Sequence, residues 1–390
     1  MKKVRYGIIG IGNQGSYYST AIFDGGLAKD AELVALCDNN PAKLDRIKTK
    51  LKNVSPKYFG NYVEMLDSGL CDAVLVETPH YIHPEMVKEC LKRNIHVICE
   101  KPAGVYAAQV KDMNEAAAKA NVLFGMMFNQ RTNPLYRKMR ELIFAGEIGK
   151  LQRVNWIITN WFRTQYYYDS GSWRATWNGE GGGVLINQCP HQLDLVSWVT
   201  GEQPDFVTGY CQYGKWHDIE VEDEVTAFFE YKNGATGVFI TTTGEAPGTN
   251  RFEVSGTCGK LLCENDKLTL YKNGADSQEW LYNAANGYNP PKTETVEFNI
   301  SADNVQHADI INNFTAAVLG KEELFVDGRE GIHGVELMNA IEMSGWQGGA
   351  RVKLPVDENE YFKMLEEKRK TSRYKPEGND KVSDIAAAYH

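Results

Sequence analysis

The 390-residue chain contains no CxxC pair and no cysteine spacing suited to a metal. Its eight cysteines, at 37, 71, 90, 99, 189, 211, 258 and 263, are scattered. They read as small apolar residues of a reduced, cytoplasmic protein. Long apolar runs are also missing. The N-terminal "VRYGIIGIG" is too short and too broken by glycine for a signal peptide or a membrane span. Positive charge is scarce: 42 Lys and Arg against 51 Asp and Glu leave a formal net charge of −9. That balance argues against a nucleic-acid partner, which calls for a basic face. The one basic stretch, "KLDRIKTKLK" at 43–52, reads as the solvated face of a helix. What remains is ordinary for a soluble globular protein, 43% hydrophobic and 24% charged. A chain of this length points to two domains.

Apolar strands alternate with helices through the first 127 residues. "VRYGII", "AELVALCD", "CDAVLVETP", "IHVICEKP" and "VLFGMMF" read as strands. Between them lie helices such as "NPAKLDRIKTKLK", with Asn40 as cap and Pro41 at the first helical position. Strands apolar on both faces imply a doubly wound parallel sheet, an α/β domain of Rossmann type. The pattern changes near residue 128. "LQRVNWIITNWF", "EVTAFFEYKNGATGVFITTT" and "NRFEVSGTCGKLLCEN" alternate in polarity and predict an α+β half with a large, mainly antiparallel sheet. "YKNGA" at 231–235 and again at 271–275 reads as a turn between strands. Residues 329–347 predict a late helix, and the charged tail from 356 a surface helix and an arm. The expected division is therefore 1–127, 128–355 and 356–390. The acid run "HDIEVEDE" at 217–224 reads as solvated, and no metal site is expected.

"GIIGIGNQGS" carries Gly10-x-Gly12-x-x-Gly15, with Asn13 and Gln14 inside the motif. It follows a strand and opens a helix, and Asp38 ends the next strand, the arrangement of a dinucleotide site. Gly10 permits the tight turn, Gly12 lets backbone reach the pyrophosphate, and Gly15 lets helix and strand pack closely. Asp38 would accept from the ribose hydroxyls and repel a 2′-phosphate, so NAD is expected over NADP.

A lysine, Lys101, stands at the carboxyl end of the strand in "CEKPAG", where open α/β sheets bind ligands. "GIIGIGNQG", Asp38, "ETPHYIH" at 77–83, "CEKP" at 99–102 and "GGGVLINQCPHQLDLVSW" at 181–198 together resemble the glucose–fructose oxidoreductase, inositol dehydrogenase and MocA (Gfo/Idh/MocA) family. The resemblance covers nearly the whole chain. It implies that Lys101 borders the nicotinamide and the reacting carbinol, bonds the hydroxyl and assists proton transfer. It implies that Glu100 fixes the cofactor ribose or the loop. It also implies that Thr78, Pro79 and His83 belong to a cofactor-contacting turn, in which His80 stands where the family more commonly has Asn. Trp173 and Arg174 are expected near cofactor and substrate, and the chain is expected to form a homodimer or homotetramer.

Between 156 and 177 lie eight aromatic side chains with Arg163 and Arg174 among them. Aromatic faces suit the C–H faces of sugar rings, while arginines such as Arg163 bind hydroxyls. Behind them, Gly181–Gly183 let backbone approach a ligand closely. Asn187, His191 and Asp194 follow at i, i+4 and i+7, spacing that places them on one helix face. His191 has a pKa suited to acid–base work at neutral pH. Asp194 is expected to contact the substrate or orient His191, with bonding within the helix or between domains as the alternative. The family usually has Asp where this chain has Asn187; an amide can only exchange hydrogen bonds. Asn187 is therefore expected to orient a substrate hydroxyl, with the proton left to His191 and Lys101. The expected activity is NAD-dependent oxidation of a secondary hydroxyl of a sugar, glycoside or cyclitol, with position 3 of a pyranoside preferred from the family's aromatic-rich members. Two alternatives stand beside it: a redox-neutral glycoside-cleaving enzyme that oxidises transiently and eliminates, and a non-catalytic NAD-binding sensor.

Overall fold

A computed structural model describes residues 3–301 and 305–373. In the first half, β1 (Val4–Ile9), β2 (Ala31–Cys37), β3 (Lys57–Phe59), β4 (Ala73–Val76), β5 (His96–Cys99) and β6 (Phe124–Met126) pair in parallel. Their order is β3-β2-β1-β4-β5-β6. Both faces of the central strands are covered: Tyr6, Ile8 and all of Ala73–Val76 are buried. The order reverses between β1 and β4, and ligands of such sheets bind outside the strand ends at that point. There the Gly10 loop, Thr78 and Lys101 come together from the ends of β1, β4 and β5.

The second half is a nine-stranded sheet. Its strands are β7 (Leu151–Ile158), β8 (Pro204–Tyr213), β9 (Glu222–Tyr231), β10 (Thr236–Thr242), β11 (Asn250–Gly256), β12 (Gly259–Glu264), β13 (Lys267–Asn273), β14 (Thr293–Phe298) and β15 (Val352–Lys353). They run β14-β13-β12-β11-β7-β10-β9-β8-β15. Only β7 and β10 pair in parallel; the sheet is otherwise antiparallel, as its alternation implies. The first "YKNGA" is the β9–β10 hairpin, with Gly234 at φ +85°. The second is not a hairpin. Asp276 caps the backbone N–H groups of Gln278 and Glu279 and starts a helix, Ser277–Asn283, before β14 returns beside β13.

The two halves interlock. The His307–Val318 helix returns to the first sheet, where Thr315 Oγ1 and the Tyr6 hydroxyl share a hydrogen bond of 2.8 Å and Phe314 lies against Gly125. The late helix, Gly331–Trp346, is anchored by Asn339, which accepts from Ala107 N and donates to Val105 O, both at 3.0 Å. The tail begins as a helix, Glu358–Lys370, with Tyr361 and Leu365 buried; the arm read at its end, "DIAAAYH", lies outside the described residues.

The acid run corrects the sequence reading. Glu222 and Asp223 are fully buried, not solvated. Asp223 accepts from the backbone N–H groups of Lys215 and Trp216 at 2.9 and 2.8 Å. Glu222 Oε1 accepts from Gly183 N at 2.9 Å and Leu185 N at 3.1 Å, at the start of a short helix, Val184–Asn187. Backbone donors that cannot reach water draw the carboxylates inward. Among the described residues no helix is long and apolar enough to cross a membrane, and all eight cysteines are free.

Candidate active site

The three glycines of the first loop do different work. Gly10 has φ +97°, and a Cβ there would sit 2.3 Å from Glu77 O. A Cβ on Gly15 would sit 1.9 Å from Gly10 O, so helix and turn could not close. Gly12 faces open space, where backbone can meet a ligand. The helix behind the loop starts at Asn13 and Gln14. Asp38 is buried, with Oδ2 accepting from Ile11 N and Oδ1 from Asn40 N, both at 2.8 Å. These bonds lock the carboxylate against the loop and leave lone pairs for hydroxyl donors. Thr78 Oγ1, on the facing turn, is buried with no partner among the described residues; its neighbour Pro79 is exposed. An open backbone cradle, a fixed carboxylate and an orphaned hydroxyl fit a dinucleotide. Losing hydrogen bonds to a charged acceptor costs about 1.5–3 kcal/mol. Asp38→Ala is therefore expected to weaken NADH binding by about 10- to 100-fold and to narrow the preference over NADPH. Fluorescence titration with both nucleotides would show it.

Both ring nitrogens of His83, expected in a cofactor-contacting turn, are taken up by the protein itself. Its ring nitrogens lie 2.8 Å from Pro102 O and 2.6 Å from Thr78 O. Buried between two carbonyls, it ties the Thr78 turn to the Lys101 loop. Glu100 likewise serves the loop: it accepts from the Tyr18 hydroxyl and from Lys101 N, the latter at 2.8 Å.

Lys101 Nζ reaches across to the second half and donates to Asn187 O at 2.9 Å. Burial pushes its ammonium pKa down, against the pull of Glu100 and Glu180. His191 lies on the Pro190–Thr200 helix, edge-on to Phe128 at 6.3 Å. Its Nδ1 is enclosed and has no partner among the described residues. Burial, then the Lys101 charge, holds its pKa well below the usual imidazole range. The imidazole is thus neutral at neutral pH and, against the sequence expectation, a weaker base than a free histidine.

Asn187, His191 and Asp194 do not share one helix. Asn187 ends the short Val184–Asn187 helix, and Pro190 starts a new one, because proline has no N–H to continue the first ladder. Asp194 is the clearest departure from the expected site. Both its oxygens accept from Arg131, at 2.8 and 2.6 Å, in an ion pair only 2% and 3% exposed. It is neither a substrate contact nor the partner of His191 Nδ1.

The aromatic approach leads to Asn187. The Tyr167 hydroxyl donates to Asn187 Oδ1 at 3.1 Å and accepts from Arg174 Nη1 at 2.8 Å. Arg174 lies over the Tyr167 and Trp173 rings, and Arg163 over Tyr167 from the rim, its Nη1 donating to Phe162 O at 2.9 Å. Trp173 stands edge-on to His80. Three groups in the site went unread in the sequence. Tyr167 was one of three consecutive tyrosines. Glu180, the lone acid of "NGEGGG", is buried and accepts from Asn187 Nδ2. His307 begins the returning helix, packs on Tyr17 and Tyr18, and has its pKa pushed down to about 4 by burial and by Lys101. Among the described residues no group of three or more His, Cys, Asp or Glu could hold a metal ion.

Residues 4–128 match the model of an oxidoreductase family with an NAD-binding Rossmann fold. Residues 136–262 match that of the GFO/IDH/MocA C-terminal domain. Myo-inositol 2-dehydrogenase of Thermotoga maritima is 29% identical over 273 residues, 68% of this chain and 77% of that one. Inositol 2-dehydrogenase of Rhizobium meliloti is 23% identical over 349 residues, 87% of this chain and 96% of that one. The crystal structure of the WlbA dehydrogenase from Bordetella pertussis, in complex with NADH and UDP-GlcNAcA, is 27% identical with a TM-score of 0.75, over 91% of this chain and all of that one. With a glycine cradle that fits a dinucleotide, and matches to both domains of one family, this chain belongs to the Gfo/Idh/MocA family and is an NAD-binding oxidoreductase.

Proposed function

We propose that the protein oxidises a secondary hydroxyl of a sugar, glycoside or cyclitol, with position 3 of a pyranoside the preferred carbon. The observation that carries this reading is Lys101 Nζ, held on Asn187 O at 2.9 Å at the carboxyl ends of the first sheet, near enough for its charge to act on His191, whose Nδ1 has no partner among the described residues. The chemistry supplied by NAD, when bound, is acceptance of a hydride from the carbinol carbon. Neutral His191 takes the hydroxyl proton, and the Lys101 ammonium stabilises the negative charge that develops on that oxygen. The aromatic rim, with Trp173 and Arg163, offers ring faces and hydrogen-bond donors to a polyol. The similar proteins named for myo-inositol and the complex holding UDP-GlcNAcA support this class of substrate. A homodimer or homotetramer belongs to the same reading; exposed Tyr210 and Phe228 lie on the neighbouring strands β8 and β9.

The test is NADH formation from NAD with a panel of glycosides, inositols and aldoses. Stoichiometric NADH with at least one of them is expected. A glycosidic bond cleaved with no net NADH would replace this reading with transient oxidation and elimination. No turnover of any polyol or glycoside would leave an NAD-binding sensor.

A further inference from the structure

The structure assigns Glu180 as a positioning residue: its carboxyl fixes the Asn187 amide so that Asn187 can only donate to a bound ligand, and it stands in for the acid that position 187 lacks. This rests on the reading that Lys101 and Asn187 face the reacting hydroxyl. An asparagine amide has two acceptor lone pairs and two N–H groups. Oδ1 is saturated, accepting from the Tyr167 hydroxyl at 3.1 Å and Gln188 Nε2 at 2.9 Å. Nδ2 spends one N–H on Glu180 Oε1. A carboxylate accepts only and Gln188 Nε2 donates only, so the amide cannot turn over without losing both of those bonds. One N–H is left for a ligand oxygen.

Glu180 is itself held. Ala175 N donates to its Oε2 at 2.6 Å, and its backbone oxygen lies 3.1 Å from His80 Nδ1. Burial raises its pKa, and Arg174 is the largest opposing influence, with Lys101 also lowering it. Lys101 is faced by Glu100 on its own loop, by Glu180, Arg174 and Cys189 across the cleft, and by the imidazoles of His191 and His307. His80 and His83 lie behind it, with burial lowering both pKa values. Glu77 feels Lys101 from the end of β4. Among the described residues, the carboxyl hydrogen-bonded to Asn187 is that of Glu180. An aspartate at 187 would meet Glu180 carboxyl to carboxyl, and two such groups do not both ionise readily. The chain therefore carries its acid at 180 or at 187.

The test follows Lys101 by competitive acetylation with acetic anhydride across pH, read by mass spectrometry on the NAD-loaded protein without substrate. Glu180→Gln removes a neighbouring negative charge, so the Lys101 midpoint should fall and its labelling at neutral pH should rise about tenfold, the effect of one pH unit. The double variant Glu180→Gln/Asn187→Asp should bring the midpoint back towards wild type. Thermal melts report folding; if Glu180→Gln does not fold, Asn187→Asp alone decides: the carboxyls at 180 and 187 then share one negative charge, so the Lys101 midpoint should stay close to wild type, and a midpoint raised by about a pH unit, as a full second charge would raise it, overturns the assignment. An unmoved midpoint in folded Glu180→Gln, or a double variant no closer to wild type than Glu180→Gln, overturns it too. Labelling needs no turnover: a shifted midpoint with no polyol oxidised would count against the proposed activity, and oxidation with an unmoved midpoint against Glu180.

Discussion

Lys101→Met is expected to lower kcat by about a thousandfold, the scale reached when a positioned acid–base or oxyanion-stabilising group is lost. NADH affinity should change little, because the glycine loop and Asp38 lie at the ends of other strands. Methionine keeps the length and the packing, so the loss reports the charge and the proton. Lys101→Arg should not rescue it. A guanidinium is a wide planar fork that does not give up its proton, while the native ammonium meets a single carbonyl, Asn187 O, at 2.9 Å. Wild-type activity should also change on the alkaline side at a pH below the ordinary lysine range, since burial pushes Lys101 down, and Lys101→Met should lack that limb. Single-turnover NADH formation against pH, with the first substrate from the panel, checks both. A loss of less than tenfold in Lys101→Met would remove the lysine from the chemistry.

The second large effect is on stability. Glu222 and Glu342 are fully buried behind the triple glycine and interact with each other. Burial pushes Glu222 up to about 7, although Gly183 and Leu185 N–H groups favour its charge. Burial, then Glu222, holds Glu342 well above the carboxylate range. In the unfolded chain both would titrate near ~4.3. A raised folded pKa means that the fold binds protons the unfolded chain releases. The stabilisation is complete below the unfolded value and is lost as pH rises through the folded one. For Glu222 alone the loss is about 4 kcal/mol, from 1.36 kcal/mol per unit. Melting temperature should therefore fall by several degrees between about pH 5 and pH 8. Glu342→Gln should flatten that slope, because an amide can donate to Glu222 where a second carboxyl repels it. A wild-type melting temperature that held or rose over this range would contradict the raised carboxyls.

Much of this site was legible before any coordinates. The Gly10–Gly15 loop, Asp38 and Lys101 could be read because their neighbours are local: a strand, a tight turn and a helix start leave their mark within ten residues. His191 could be read because Pro190 and the glycines flank it. Asp194 could not, since its partner, Arg131, is 63 positions away and nothing in "HQLD" distinguishes a carboxylate aimed at a ligand from one aimed at a guanidinium. Glu222 and Asp223 looked solvated because charge density is visible in a sequence and unpaired backbone N–H groups are not. Glu180 was hidden for a related reason. Among glycines it looked like a loop residue, and its role depends on Asn187 turning back towards it. His307 comes from a helix whose return to the first sheet had no local signal.

The turn that carries Trp177 and Asn178 is clasped by residues 369–373, at and just past the end of the Glu358–Lys370 helix. Arg369 Nε and Ser372 Oγ both bond Asn178, and Ser372 Oγ and Arg373 N donate to Glu220, which in turn accepts from Trp177 N. Tyr81, from the cofactor turn, donates to Trp177 O and lies under the Arg369 guanidinium. Two residues beyond that turn comes Glu180. Residues 369–373 are thus mechanically wired to the turn that leads to Glu180. Loosening the 369–373 clasp, as Arg369→Ala and Ser372→Ala would do, should therefore register as a change in turnover before it registers as unfolding.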